Sequence, residues 1–312
     1  MGRRWAPGGT KSFATGLKTI VVATELNGRS EAALEYARKL AGAYGARIVL
    51  AHGIDPVEYA AVDAVPGQVL EILPEEARAV LESLSADLLR EGIHSHSEFR
   101  QGTVAQMLLD VARQYQAGLI VIGTKGMEGA GPVIVGAIAE ELVRLSPCPV
   151  LAVAADWNAG AFRPTPGGPV LLAMERNEAS SSAVTAACSL AKTFERPLLL
   201  LHARTAAEVA AFLNPCGTTL EEFGVQCRGQ FPVRSLVKDG NPVDAIVDAI
   251  AQNHPCILVA GVKRASGTPG PHGTAFALLA RSRVPVLCVP PESAPVARPV
   301  HKTDACAYAE TR

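Results

Sequence analysis

Residues 119–126 read LIVIGTKG, and residues 257–264 read ILVAGVKR. Each is an apolar run that stops at a glycine, Gly123 or Gly261, and then turns through a basic stretch. A short apolar run bounded by turn signals is the pattern of a strand buried on both faces, as in a parallel sheet. Around the first run, such segments alternate with Ala/Leu/Glu-rich segments of helical period, the signature of βαβ units. Strands are expected at Lys18–Thr24, Ala46–His52, His94–Phe99, Leu119–Ile122 and Pro149–Val153. Helices are expected at Ser30–Tyr44, Glu75–Arg90, Val104–Gln114 and Ile134–Leu145. In the second of these helices, Ala79, Val80, Leu84, Leu88 and Leu89 are expected near one apolar stripe. The order is βαβαβαβαβ.

The second half repeats the first. Glu25 and Glu175 close the first strands, His52 and His202 the second, both pairs 150 residues apart. Gly102 and Gly240, like Gly123 and Gly261, lie 138 apart, and Pro149 and Pro285 lie 136 apart. One order of landmarks with a deletion of twelve residues, placed between Asp55 and Glu91 of the first copy, is a tandem duplication. The expected fold is α/β, with two doubly wound parallel-sheet domains in tandem, at 17–154 and 169–290. A flexible N-terminus (1–16), a Gly/Pro/Ala linker (155–168) and a disordered tail (291–312) complete the division.

Composition narrows the function. Two domains suit 312 residues at about 100–200 residues each. Hydrophobic residues make up 48% and aromatics 5%, so an aliphatic core is sustained without disulfide staples. Lys+Arg at 29 against Asp+Glu at 30 gives no basic balance for nucleic acid. No apolar run reaches the roughly 18 residues that span a bilayer, and the N-terminus lacks the apolar stretch of an export signal. Seven scattered cysteines, none at C-x-x-C spacing, read as reduced thiols. The expectation is a cytoplasmic protein with no membrane or nucleic-acid partner and no metal site.

Chemistry concentrates after the fourth strand, where Gly123, Gly126 and Gly136 are separated by two and then nine residues. A glycine turn feeding a helix N-terminus presents backbone N–H groups and the positive end of a helix dipole to a phosphate. Glycine permits positive φ and close backbone approach. The bare pattern is also that of a plain turn. His94 and His96 share a strand face, either as two metal ligands lacking a third or as a solvated face. His52 and His202 read as hydrogen-bonded structural histidines first and ligand-lining residues second. Cys256 reads as a buried small hydrophobe, and Ser180–Ser182 as a helix cap. No Ser/His/Asp ordering, carboxylate pair or P-loop lysine supports a hydrolase or kinase.

The whole arrangement resembles the universal stress protein family: strand-terminal Glu25 and Glu175, His52 and His202, the ADLIV-like strand at Ala117–Ile122, the SPCPVL motif at Ser146–Leu151, and the glycine spacing of its ATP-binding members. The resemblance covers about Lys18–Pro290 in two copies and implies Rossmann-like, adenine nucleotide alpha hydrolase-like domains that pair through their last strands. It implies an ATP site, with Mg, at Ala23, Thr24, Glu25, Ile122, Gly123, Thr124, Lys125, Gly126, Gly136, Ala137, Ile138 and Ala139. It departs from the family at Ala137 and Ala139, where hydroxyl residues would hold phosphates, and at Glu25, where the family has Asp. In the second copy Arg264 replaces the second glycine and eight residues separate it from Gly273, so that copy is expected not to bind. The expected function is a stress-response regulator that binds adenine nucleotide without strong catalysis. The alternatives are an interaction scaffold that binds no nucleotide and, more weakly, a slow ATP hydrolase. A homodimer through another surface is compatible with internal pairing of the two domains.

Overall fold

A computed structural model describes residues 13, 16–26, 30–54, 69–124, 136–155, 157, 167–174, 179–204, 231–262 and 273–291, with side chains of 69–74 and 179–180 excepted. In the first half the elements are β1 (Thr19–Ala23), α1 (Glu31–Tyr44), β2 (Arg47–Ile54), α2 (Val69–Arg90), β3 (Ser95–Gln101), α3 (Val104–Gln114), β4 (Leu119–Thr124), α4 (Ala137–Leu145) and β5 (Val150–Ala154). The second half contributes β6 (Val170–Met174), α5 (Ala179–Thr193), β7 (Leu198–Arg204), β8 (Val233–Asp239), α6 (Pro242–Asn253), β9 (Ile257–Gly261), α7 (Thr274–Arg281) and β10 (Val286–Val289). Most of the linker (156 and 158–166), the tail from 292 and residues 205–230 lie outside the described residues.

The strands form a single ten-stranded sheet in the order β3-β2-β1-β4-β5-β10-β9-β6-β7-β8. Pairing is parallel within each half, and the halves join where β5 and β10 run antiparallel. Leu151 pairs with Leu287 there, residues equivalent under the 136-residue offset, so a pseudo-twofold axis passes between them. The same axis runs between the ends of α1 and α5. Tyr44 meets its equivalent Phe194 edge-on at 6.4 Å, and the Tyr44 and Ser189 hydroxyls lie 3.0 Å apart.

Alternation along the central strands divides the core between two faces. Ile20, Val22, Leu119 and Val121 pack beneath α1 with Leu172 and Val259 of the second half. Val21, Ile120 and Ile122 pack on the opposite face with Leu142 of α4 and Leu278 of α7. Both layers run unbroken across the β5–β10 seam. The α2 stripe differs from the sequence expectation. Ala77, Leu81 and Leu88 face the sheet with Leu84 half-buried, whereas Ala79 is exposed and Val80 and Leu89 are 43% and 60% exposed. The winning register is the i, i+4, i+7, i+11 row of a helix lying along β3.

The SPCP motif has a mechanical role. Ser146 Oγ donates to Cys148 O at 2.6 Å and accepts from Cys148 N at 3.2 Å, closing the turn into β5. Ser282 does the same with Val284 before β10. Burial pushes the thiols of Cys148 and Cys288 up to about 12 and that of Cys256 to about 11, so these three are inert core groups. Cys188 on α5 is disulfide-bonded. That corrects the expectation of uniformly reduced thiols, because spacing along the chain does not report which sulfurs the fold brings within reach. Ser181 and Ser182 also depart from expectation: α5 begins at Ala179, so both lie inside the helix rather than capping it. No described helix is long and apolar enough to cross a membrane.

One backbone position separates the copies cleanly. The C-cap of α1 is Gly45 at φ 64°, followed by a bond from Ala46 N to Ala41 O. In the second copy the same turn, with Arg196 N on Ala191 O, holds Glu195 at φ 53°. A left-handed side-chain residue costs about 1–2 kcal/mol, partly offset by the greater entropy that glycine loses on folding. Glu195 is exposed, so Glu195→Gly is expected to stabilise the protein by about 0.5–1 kcal/mol in urea unfolding. An unchanged or lower midpoint would contradict the strain assigned to this turn.

Candidate functional site

Strand order sets the location. From β1 the chain steps to β2 and β3 on one side, and β4 and β5 lie on the other, so β1 and β4 flank a switch point. The β1–β4 ladder runs through Ile20–Leu119, Val21–Ile120 and Val22–Val121, and the residues that follow diverge above it. In open α/β sheets ligands bind in the crevice outside such strand ends. Topology therefore brings Ala23, Thr24 and Glu25 together with Ile122, Gly123 and Thr124. Gly136, Ala137, Ile138 and Ala139 begin α4, the helix that follows β4. Lys125 and Gly126 lie outside the described residues.

The β1 side is rigidly held. Thr24 is buried, and its N–H donates to Ala51 O at 3.0 Å. His52 Nδ1 lies 2.7 Å from Thr24 O, so the ring nitrogen carries the proton and donates. Thr24 Oγ1 accepts from Leu26 N at 3.1 Å and lies 3.1 Å from Ser30 Oγ. Leu26 has φ 56°, a left-handed turn that bends the chain sharply between Thr24 and Ser30. Glu25, between these fixed points, is exposed. Ser30 was read from sequence only as a helix start. As the α1 N-cap it makes no side-chain cap bond and spends its hydroxyl on Thr24 instead. Two hydroxyl residues six apart, Thr24 and Ser30, were the available signal.

On the β4 side, Gly123 is an extended strand residue paired with Val153. Gly136 is the N-cap of α4 at φ −63° and ψ 146°, a conformation open to any residue, so the expected need for positive φ does not apply to it. Among the described residues, nothing lies within 4 Å of where a Cβ would stand there. Glu140 N bonds Gly136 O at 3.1 Å, which leaves the amides of residues 137–139 without an intrahelical acceptor. Ala137 and Ile138 are exposed and Ala139 is buried. The first turn thus offers backbone donors and helix dipole but no hydroxyl.

The second switch point, between β9 and β6, is built differently. His202 Nδ1 reaches Met174 O at 3.2 Å, the same bond one copy on. Met174, however, stands where Thr24 does and supplies no hydroxyl. Gly273 caps α7, and a Cβ there would lie 3.7 Å from the ring of Phe276, an ordinary van der Waals contact. Glu175, Lys263 and Arg264 lie outside the described residues. Elsewhere, His94 and His96 are exposed, and no cluster of three potential metal ligands occurs among the described residues.

Fold and crevice together define a doubly wound α/β protein in tandem, with a switch-point cleft in each half. The family model described as "Universal stress protein family" matches residues 16–154 and again 168–290, and the chain belongs to that family. A universal stress protein from Mycolicibacterium smegmatis is 31% identical over 189 residues, 59% of this chain and 63% of that protein. One from Methanocaldococcus jannaschii is 28% identical over 138 residues, 44% of this chain and 81% of that protein. The solved structure of a universal stress protein from Archaeoglobus fulgidus superposes with a TM-score of 0.71 at 18% identity, covering 87% of this chain and 98% of that one. That last likeness establishes the fold.

The bracket around Thr24 is testable without any ligand. Thr24→Val keeps the shape and removes the hydroxyl that meets Ser30 Oγ and accepts from Leu26 N. It is expected to destabilise the fold by about 1–3 kcal/mol in urea unfolding. An unchanged midpoint would show that the hydroxyl does not organise this loop.

Proposed function

We propose that the first half binds an adenine nucleotide, ATP with Mg, at the β1/β4 switch point, and that the protein acts as a nucleotide-dependent stress-response regulator rather than an enzyme. The observation that carries this reading is the N-terminus of α4, which follows β4 in the chain and whose first-turn amides have no intrahelical acceptor. Those amides and the dipole of α4 favour the negative charge of phosphates. Family membership and the Gly123, Gly126, Gly136 spacing agree with it. Lys125 and Gly126 would complete the phosphate loop, with Lys125 as a point charge. Glu25 and the end of β1 would face the nucleoside. Mg would arrive on the phosphates, since the described residues offer no ligand cluster of their own.

Ala137 and Ala139 set the strength. Each missing hydroxyl removes a hydrogen bond to a charged group, about 1.5–3 kcal/mol, so affinity is expected one to two decades weaker per bond than in a hydroxyl-bearing site. The competing reading, an interaction scaffold without nucleotide, draws on the same two alanines. The second half is assigned a packing role, in keeping with Met174 where the first half has Thr24.

Calorimetric titration of the ligand-free protein with Mg-ATP, with ADP and AMP as controls, separates the two readings. One-site binding, abolished by Gly126→Leu, is expected. Silence up to millimolar ATP would favour the scaffold, and binding unchanged by Gly126→Leu would displace the loop from the site.

A further inference from the structure

His52 and His202 form a matched pair. Each lies near the end of the second strand in its copy, and each gives its Nδ1 proton to the carbonyl at the first strand's end, Thr24 O or Met174 O. The consequences differ. Met174, standing where Thr24 does, carries no hydroxyl to continue the tie. In the first copy the chain of bonds runs on: His52 holds the Thr24 carbonyl, Ala51 holds its amide, and the Thr24 hydroxyl holds Leu26 N and faces Ser30. Every polar group of Thr24 is engaged, and the left-handed Leu26 follows two residues later. The imidazole is itself fixed from the side, because His52 and Phe99 are register neighbours on β2 and β3 with rings 5.9 Å apart and 28° from parallel. The Arg78 guanidinium lies 5.2 Å from the Phe99 ring.

We infer that His52 is a positioning residue for the nucleotide crevice: by fixing the Thr24 carbonyl it presets the β1–α1 turn that carries Glu25, while His202, making the same bond, serves only its own half's structure. This rests on the nucleotide-binding reading above. A preset turn lowers the ordering cost of binding, so its loss appears in affinity rather than in fold alone.

The test uses the full chain with His52→Leu, His52→Asn and His202→Leu, each measured for Mg-ATP affinity by calorimetry and for stability in urea. The Asn amide nitrogen takes the place of Nδ1. His52→Leu is expected to weaken Mg-ATP about tenfold, the scale of one lost hydrogen bond. His52→Asn should recover most of that loss, and His202→Leu should lower stability while leaving affinity unchanged. If His52→Leu does not fold, His52→Gln, which keeps an amide donor but displaces it by one methylene, takes its place with the same expected loss. Wild-type affinity in both His52→Leu and His52→Gln, or an equal loss in His202→Leu, would overturn the positioning role while nucleotide binding stands. Absence of Mg-ATP binding by the wild-type protein would overturn both.

Discussion

The antiparallel hydrogen bonding between β5 and β10 is the interaction on which the rest of this molecule depends. Taken alone, each half would end on an apolar strand, VLAVA in β5 or VLCV in β10, with a row of unpaired backbone groups. Such an edge is an aggregation hazard. Pairing Leu151 with Leu287 on the pseudo-twofold axis buries both edges at once and joins the two core layers across the seam. The strands left at the outer ends, SHSEFRQ in β3 and VRSLVKD in β8, carry charged and polar residues that suit an edge. The duplication thus supplies within one chain the partner surface that each half needs.

That constraint also fixes the functional geometry. With β5 committed to the seam and β3 to the outer edge, β1 and β4 sit centrally and their strand ends diverge over a protected floor of Val21, Val22, Ile120 and Val121. Both halves inherit the cleft from the same topology, and local chemistry then separates them. Thr24 and the Gly136 cap stand in the first, and Met174 and the Gly273 cap stand in the second.

Much of this was readable from residue patterns because the decisive signals were local and repeated. Offsets of 150, 138 and 136 residues located equivalent strand ends, and the continuous apolar runs at Ile20–Val22 and Leu119–Ile122 marked central parallel strands. What the pattern missed depended on contacts between distant segments. The α2 stripe falls on Ala77, Leu81, Leu84 and Leu88 because of how that helix lies along β3, a register that periodicity alone left ambiguous. Ser30 was legible as a helix start but not as the partner of Thr24, since that pairing exists only once Leu26 turns left-handed. Of the two properties expected of the loop glycines, positive φ and close backbone approach, Gly136 does not use the first.

Photo-crosslinking of the intact protein with 8-azido-ATP, followed by peptide mapping of the label, tests directly the proposal that one copy, and not the other, holds the nucleotide. ATP-competable label is expected on peptides from residues 16–154, concentrated near the ends of β1 and β4, with none above background in residues 168–290. Competable label shared equally between the halves, or confined to the second, would contradict it.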